Sequence, residues 1–310
     1  MNNPESNPEN KMGATPPTIG VFDSGFGGLT VLRALIQRLP QARFAFLGDT
    51  ARLPYGSKSR RTIARYAAES AQFLVGEQGA EFLVIACNTA SALALDAIQD
   101  AVPVPVLGVI EPGAEAALAA SRAGDVLVIA TDATVQSHAY AASCRARGLR
   151  ALEKACPLLV PLVEEGWTDA VNFTGASAAQ AASAPPQVAV TAEVIRIYLE
   201  ELNAEAATQG MKPDTLVLGC THYPLLRPLI ERAVPAGMRV IDSAEAAAEA
   251  AVRHFNGHAA PAATPSATQD ALPEPQVRCF ATDSVEKFER LGSRFLGQPT
   301  GRVELIDLGG

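Results

Sequence analysis

The fold is decided first by the stretch FDSGFGGLTVLRAL, residues 22–35. An apolar, strand-like run ends here in Asp23 and Ser24, three glycines crowd a turn, and a helical pattern follows. Such a turn suggests a phosphate site, but a G-x-G-x-x-G fingerprint would need glycine at Thr30, and a P-loop would need a lysine that is absent. The turn must therefore bring its backbone close to something else, or point Asp23 and Ser24 at it.

Similar apolar runs recur and alternate with longer amphipathic stretches. The runs are TIGVF (18–22), RFAFLG (43–48), FLVIA (82–86), VPVLGVI (104–110), VLVIA (126–130), TLVLG (215–219) and RVI (239–241). Both faces of these runs are apolar, which is typical of buried parallel strands. Helical patterns cover 29–39, 58–78, 90–100, 112–122, 134–147, 191–207, 224–234, 243–256 and 284–295. We predict an α/β fold with mainly parallel sheets flanked by helices.

Composition limits the kinds of partner. The 310 residues suffice for two domains, and a formal net charge of −8 argues against nucleic acid as the main partner. No apolar run is long enough to span a membrane, and the N-terminal residues do not resemble a signal peptide. The five cysteines form no C-x-x-C pair, and the four histidines show no zinc spacing. We therefore expect a cytoplasmic protein with reduced thiols, no metal and no evident cofactor.

Composition also divides the chain into segments. Ala-, Ser- and Pro-rich stretches interrupt the strand–helix alternation at two places. The predicted segments are a disordered tail (1–17), a first α/β domain (18–109), a second α/β domain (110–223) with an inserted loop (174–190), a return to the first domain (224–256 and 277–310) and a Pro/Ala-rich linker (257–276).

Two cysteines occupy the same local setting. VIACNTAS and VLGCTHYP each place a cysteine, Cys87 or Cys220, after an apolar strand and before small polar residues and a helix start. The similarity of these two segments suggests two similar half-structures, each presenting one cysteine at a strand end. Taken alone, either cysteine would be a small buried hydrophobe. As a pair, they suggest general acid–base chemistry, in which one thiolate removes a proton from carbon and the other thiol delivers one to the opposite face.

The motifs around these cysteines resemble the glutamate racemase family, within the aspartate/glutamate racemase superfamily. The motifs are FDSGFGGLTVLRAL, LGDTARLPYGSKS, ACNTAS, LGVIEPG, VIATDATVQSHAY, CPLLVPLVEEG and LGCTHYPLL. Together they cover roughly residues 18–255, and the resemblance resumes at 277–308. It implies two similar α/β domains, an active site in the cleft between them, and cofactor-independent interconversion of L- and D-glutamate.

The resemblance also implies roles for individual residues. Cys87 would handle the proton of D-glutamate and Cys220 that of L-glutamate. Asp23 would assist Cys87, and His222 with Glu164 would assist Cys220. The implied substrate ligands are Asp23, Ser24, Tyr55, Gly56, Asn88, Thr89, Thr131, Thr134, Thr221 and His222.

Several of these assignments have ordinary structural alternatives. Asp23, Thr131 and Thr134 could be helix caps, and Tyr55 could be loop packing. The sequence also leaves open whether Glu164 or its neighbour Glu165 points into the site. The resemblance further implies a homodimer and a supply of D-glutamate for peptidoglycan. Some relatives respond to a cell-wall nucleotide precursor, so such an allosteric partner is a candidate here.

Three other functions fit part of the pattern. A racemase for aspartate or another amino acid, or a carbanion-forming decarboxylase, would use the same scaffold, although a decarboxylase needs one cysteine only. A nucleotide-binding module would use the glycine turn, although this turn lacks the third glycine of a dinucleotide fingerprint and the lysine of a P-loop. A thiol redox protein normally has its two cysteines close in sequence.

Overall fold

The computed structural model describes residues 16–168, 185–257 and 276–309. The predicted tail (1–17), inserted loop (174–190) and linker (257–276) fall mostly outside these residues.

The first half of the molecule is built on a six-stranded sheet in which every pairing is parallel. Its strands are β1 (Thr18–Asp23), β2 (Arg43–Gly48), β3 (Phe82–Ile85), β4 (Val106–Gly108), β9 (Val277–Ala281) and β10 (Val303–Leu305). Their spatial order is β10-β9-β2-β1-β3-β4. Strands β1 to β3 are almost wholly buried, as their two-sided apolar pattern predicts.

The second half is built on a four-stranded parallel sheet. Its strands are β5 (Asp125–Ala130), β6 (Arg150–Ala155), β7 (Thr215–Gly219) and β8 (Arg239–Asp242), in the order β6-β5-β7-β8. This order repeats the β2-β1-β3-β4 order of the first sheet, with β7 in the place of β3. The prediction of an α/β fold with two similar, mainly parallel domains is confirmed.

Helices flank both sheets. They are α1 (Leu29–Arg38), α2 (Arg60–Gly76), α3 (Asn88–Leu93), α4 (Leu95–Ala101), α5 (Ile110–Ala120), α6 (Asp132–Ser137), α7 (Ala139–Ala146), α8 (Leu159–Glu164), α9 (Pro186–Thr208), α10 (Arg227–Ala233), α11 (Ser243–Gly257) and α12 (Val285–Leu296). Short 3₁₀ turns cover Tyr55–Ser57 and Tyr223–Leu226. Within the described ranges, no helix has both the length and the apolarity needed to cross a bilayer.

The predicted return of residues 224–256 to the first domain is wrong in part. Strand β8 pairs in register with β7, from Thr215 opposite Arg239 to Leu218 opposite Asp242, and so belongs to the second sheet. Helix α11 then packs against both α1 and α5, one from each half. A short run such as RVI does not reveal which strand it will pair with, because the pairing depends on how the chain packs in three dimensions. The other predicted boundaries stay predictions.

Two further elements differ from the expectation. Strand β6 went unpredicted because RALEKA has no apolar run; it lies at a sheet edge and is largely half-buried. The predicted loop 174–190 is wrong for residues 186–190, which form the first turns of α9. Pro186 occupies the first helical position, where its missing N–H costs nothing and its fixed φ suits a helix.

Candidate active site

A cavity of about 310 Å³ opens where the carboxyl ends of both sheets meet. Ligands of parallel sheets gather at this end of the strands. Every predicted site residue except Thr134 lines the cavity: Asp23, Ser24, Tyr55, Gly56, Cys87, Asn88, Thr89, Thr131, Glu164, Cys220, Thr221 and His222. The two cysteines come from equivalent places, because Cys87 follows β3 and Cys220 follows β7.

Cys87 is held as a thiol. Its side chain caps α3, with Sγ accepting from the Ala90 N–H at 3.4 Å, and its S–H donates to Ser24 Oγ at 3.4 Å. Burial and then the nearby charge of Asp23 raise the pKa of Cys87 to about 12, against the opposing effect of the Ser24 hydrogen bond. Both effects favour the thiol form of Cys87, which is the form that can donate a proton.

Cys220 has a different setting, dominated by His222. The Sγ atom of Cys220 lies 4.0 Å from His222 Nδ1, and His222 Nε2 lies 3.3 Å from Glu164 Oε1. Burial opposes the charged imidazole, but the contacts with Cys220 and Glu164 outweigh it and raise the pKa of His222 to about 10. The three side chains form a relay of acid–base groups, Cys220–His222–Glu164.

The choice between the two adjacent glutamates is decided by the end of α8. Glu164 lines the cavity, and its other oxygen, Oε2, accepts from Lys287 Nζ at 3.4 Å. Burial alone would raise the pKa of Glu164, but His222 and Lys287 outweigh it and lower that pKa. Glu165 follows the helix as its C-cap and is exposed. Glu164 is therefore the carboxylate placed to act on His222.

Two buried polar atoms at the cavity have no protein partner. Asp23 Oδ2 accepts from the Gly25 N–H at 2.9 Å, which leaves Oδ1 without a partner. Asn88 Oδ1 accepts from the Tyr140 hydroxyl at 2.7 Å, which leaves the donor Nδ2 without one. Since such groups are costly to leave unpaired, a ligand with a cationic donor and an anionic acceptor would satisfy both. Burial, partly offset by the charge of His222, raises the pKa of Asp23.

Threonine hydroxyls join the two halves beside the cavity. Thr89 Oγ1 lies 3.1 Å from Thr131 Oγ1 and 3.3 Å from Thr134 Oγ1, and the latter two are 3.0 Å apart. Thr134 is fully buried and does not line the cavity, so its expected place among the direct ligands is not supported. Its position makes it a support for Thr89 and Thr131.

Tyr55 lines the cavity, but its hydroxyl points elsewhere. The hydroxyl donates to Asp49 Oδ2 at 2.5 Å, inside the first half. Asp49 also accepts from Arg52 Nε at 2.7 Å. Burial and then the Asp49 charge raise the pKa of Tyr55. The ring of Tyr55 can bound a ligand, while its oxygen belongs to the Asp49 network.

The glycine turn after β1 lies against Asp23 and against Thr221 and His222 of the second half. A Cβ on Gly27 would overlap Thr221 Oγ1 and come within 2.5 Å of His222 Nδ1, both from the second half. A Cβ on Gly28 would come within 2.5 Å of Asp23 Cβ. The glycines thus allow the first turn to approach the second half closely, which explains this turn without any phosphate.

Sequence reasoning missed several residues around the cavity. The apolar side is formed by Phe26, Leu53, Pro54, Pro157, Val160 and Pro161. Tyr140 orients the Asn88 amide, and Thr30 Oγ1 donates to the Thr221 carbonyl at 3.0 Å across the two halves. No local pattern marks Tyr140 or Thr30, because their partners lie 52 and 191 positions away.

Comparisons with known proteins agree with this geometry. A family model described as Asp/Glu/Hydantoin racemase matches residues 19–251. A curated glutamate racemase from Koribacter versatilis is 50% identical over 309 residues, which covers 95% of this chain and 98% of that protein.

Solved structures show the same likeness. A glutamate racemase isoform from Bacillus anthracis has a TM-score of 0.79 at 34% identity, covering 95% of this chain and 99% of that one. A glutamate racemase from Francisella tularensis in complex with D-glutamate has a TM-score of 0.76 at 32% identity, covering 95% and 98%. An Escherichia coli glutamate racemase, solved with L-glutamate and the activator UDP-MurNAc-ala, has a TM-score of 0.67 at 27% identity, covering 95% and 100%. From the family match, the shared fold and the paired cysteines, this chain belongs to the Asp/Glu/Hydantoin racemase family.

Proposed function

We propose that this chain is a glutamate racemase that interconverts L- and D-glutamate with two cysteines and no cofactor. The observation that carries the proposal is the placement of Cys87 and Cys220 at equivalent strand ends of two similar sheets, both lining the same cavity. Such a pair can serve the two faces of one carbon. The relatives that match most of the chain are glutamate racemases, one of them solved with D-glutamate.

The unpartnered atoms suggest how the amino acid would bind. The α-ammonium would donate to Asp23 Oδ1, and a carboxylate would accept from Asn88 Nδ2. The hydroxyls of Ser24, Thr89 and Thr221 offer further donors. No arginine or lysine of the described residues lines the cavity. The substrate carboxylates would therefore be held by neutral hydrogen-bond donors, and the imidazolium of His222 would be the cationic side chain in the lining.

The proton steps follow from the two settings. In the L-to-D direction, the Cys220 thiolate, paired with protonated His222, takes the Cα proton and becomes a thiol. The Cys87 thiol then gives its proton to the opposite face of the carbanion and becomes a thiolate. The raised pKa of Cys87 keeps its proton in place, so the proton is available for the carbanion, which is a far stronger base than the thiolate. For the reverse direction, Cys87 must act as the thiolate. The substrate ammonium would offset the negative charge of Asp23, and so weaken the repulsion by which Asp23 raises the pKa of Cys87.

The cellular assignments belong to the same proposal. D-glutamate made in the cytoplasm would supply peptidoglycan synthesis, and the working form would be a homodimer. The Escherichia coli relative binds UDP-MurNAc-ala as an activator, which supports a similar nucleotide as a candidate regulator here.

The decisive experiment follows the circular dichroism of D-glutamate, and then of L-glutamate, with purified protein and no added cofactor. We expect the signal to decay to zero from both sides, with solvent deuterium entering at Cα. If aspartate or another amino acid racemises instead, the substrate assignment is wrong. If no amino acid exchanges its Cα proton, the racemase proposal is wrong.

Replacing Tyr140 by phenylalanine tests the orientation of Asn88. The change removes the hydroxyl that fixes Asn88 Oδ1, so the amide is free to turn its donor away from the substrate. A lost hydrogen bond is worth about 1 kcal/mol, so we expect KM for both enantiomers to rise about fivefold with kcat little changed. A fall in kcat at constant KM would contradict this role.

The raised pKa of His222 predicts how stability changes with pH. Its folded pKa, about 10, lies above the usual 6.5, so folding favours the protonated imidazole. That contribution is complete below pH 6.5 and is lost as pH rises through about 10. Urea unfolding should show a steeper loss of stability over this window for the native chain than for His222→Gln. Parallel losses in the two proteins would show that His222 is not protonated in the folded state.

A further inference from the structure

Lys287 occupies a position that local helix preferences disfavour. It is the third residue of α12, whose first turn carries the positive end of the helix dipole. A lysine is unfavourable there, and residues that break local rules are often explained by functional contacts. The contacts of Lys287 supply such an explanation.

The ammonium group of Lys287 reaches across to the second half. It lies 3.4 Å from Glu164 Oε2, while Oε1 of the same carboxylate lies 3.3 Å from His222 Nε2. It also lies 5.3 Å from the ring centroid of Phe26, which lines the cavity. Lys287 belongs to the segment that forms β9 and β10 of the first sheet, so this contact joins the two halves at the acid–base relay.

Helix α12 is fixed firmly enough to position this lysine. Thr50 Oγ1 donates to the Asp283 carbonyl at 2.5 Å and accepts from the Asp283 N–H at 2.8 Å. Ser284, directly before the helix, has a φ of 53°, a left-handed conformation that a non-glycine residue adopts at a cost. At the other end of the helix, the ring of Phe295 packs edge-on against His222, with centroids 5.0 Å apart. The helix therefore touches both members of the Glu164–His222 pair.

We infer that Lys287 is a positioning residue that holds the Glu164 carboxylate against His222, and so supports proton transfer at Cys220 but not at Cys87. The inference rests on the proposed racemase function. The Glu164 side chain is 23% exposed, so without Lys287 the carboxylate can turn towards solvent. His222 would then lose the partner that stabilises its charged form, and the Cys220 step would slow.

Isotope effects measured separately on each enantiomer test this role. The equilibrium constant between enantiomers is 1, so Lys287→Met should lower kcat/KM about tenfold equally in both directions. If the Cys220 step is the one slowed, the Cα-deuterium isotope effect should rise for L-glutamate, whose deuteron Cys220 removes. It should fall for D-glutamate, whose deuteron Cys87 removes before the slow step. Lys287→Arg keeps the charge and should restore native values.

Two comparisons separate positioning from general stability. In a Glu164→Gln background, Lys287→Met should add less than about a twofold effect, since residues acting through one another are not additive. Lys154→Met removes another lysine–glutamate ion pair, in which Lys154 Nζ of β6 lies 2.7 Å from a carboxylate oxygen of Glu201 on α9. This pair does not line the cavity, so the substitution should leave the isotope effects unchanged. If the Cα-deuterium isotope effect changed in the same way for both enantiomers, or if the effects of Lys287→Met and Glu164→Gln were fully additive, the inference would be overturned. An inactive native chain would overturn the proposed function, and this inference with it.

Discussion

Replacing either Cys87 or Cys220 by alanine is expected to lower racemisation by at least about 10³-fold, because each variant lacks the acid–base group for one face of Cα. In the proposed mechanism the two residues are equally necessary, since the proton removed by one thiolate must be replaced by the other thiol. Circular dichroism of each enantiomer, with deuterium incorporation at Cα followed by NMR, measures the loss. Each variant retains a base on one face, so any residual exchange should favour one enantiomer.

The chain provides matched controls for these variants. Cys144 and Cys279 are also buried free thiols, but neither lines the cavity. Burial raises the pKa of Cys144 to about 11 and that of Cys279 to about 12, as it does for Cys87, so what sets these two thiols apart is that they do not face the cavity. Cys144→Ala and Cys279→Ala should therefore keep native activity once folding is verified. A comparable loss in the controls, or activity in Cys220→Ala, would contradict the two-cysteine mechanism.

Replacing Gly27 by alanine is expected to have the second largest effect. The added Cβ would overlap Thr221 Oγ1 and press on His222 Nδ1, so the second half must shift away from the turn. Displacement of catalytic groups by about 1 Å can cost about 100-fold in rate, and we expect kcat/KM to fall by that order. Overpacking should also lower the free energy of unfolding by about 1–3 kcal/mol.

Gly76→Ala is the control for the glycine substitution. It adds the same methyl group at the end of α2, where nothing lies within 4 Å, so activity should not change. The comparison uses steady-state kinetics and urea unfolding on both variants. If Gly27→Ala matched Gly76→Ala in activity, the close approach of the turn to the second half would not matter for catalysis.

The positions of the two cysteines were predictable from local pattern alone. Each follows an apolar run whose two-sided pattern predicts a buried parallel strand, and such strands end at the ligand-binding edge of a sheet. The segment around Asp23 could be interpreted in the same way. Edge strand β6 could not, because RALEKA carries polar residues that a half-buried edge tolerates.

Other features depend on contacts that no local pattern encodes. Glu164 and Glu165 are chemically identical neighbours, and only the packing of α8 turns Glu164 towards His222. Lys287 reaches Glu164 over 123 positions, from a segment that follows the predicted linker. Tyr55 resembled a ligand by its motif, yet its hydroxyl is taken by Asp49.

The sequence by itself determined the fold class, the two cysteines at strand ends and the glycine turn, because hydrophobic periodicity and backbone freedom are local properties. Only the tertiary structure decided which side chains face the cavity, that β8 joins the second sheet, and that Lys287 meets the Glu164–His222 pair. These depend on how the two sheets and α12 pack against one another, which is set by the burial of the whole chain and not by any one segment of it.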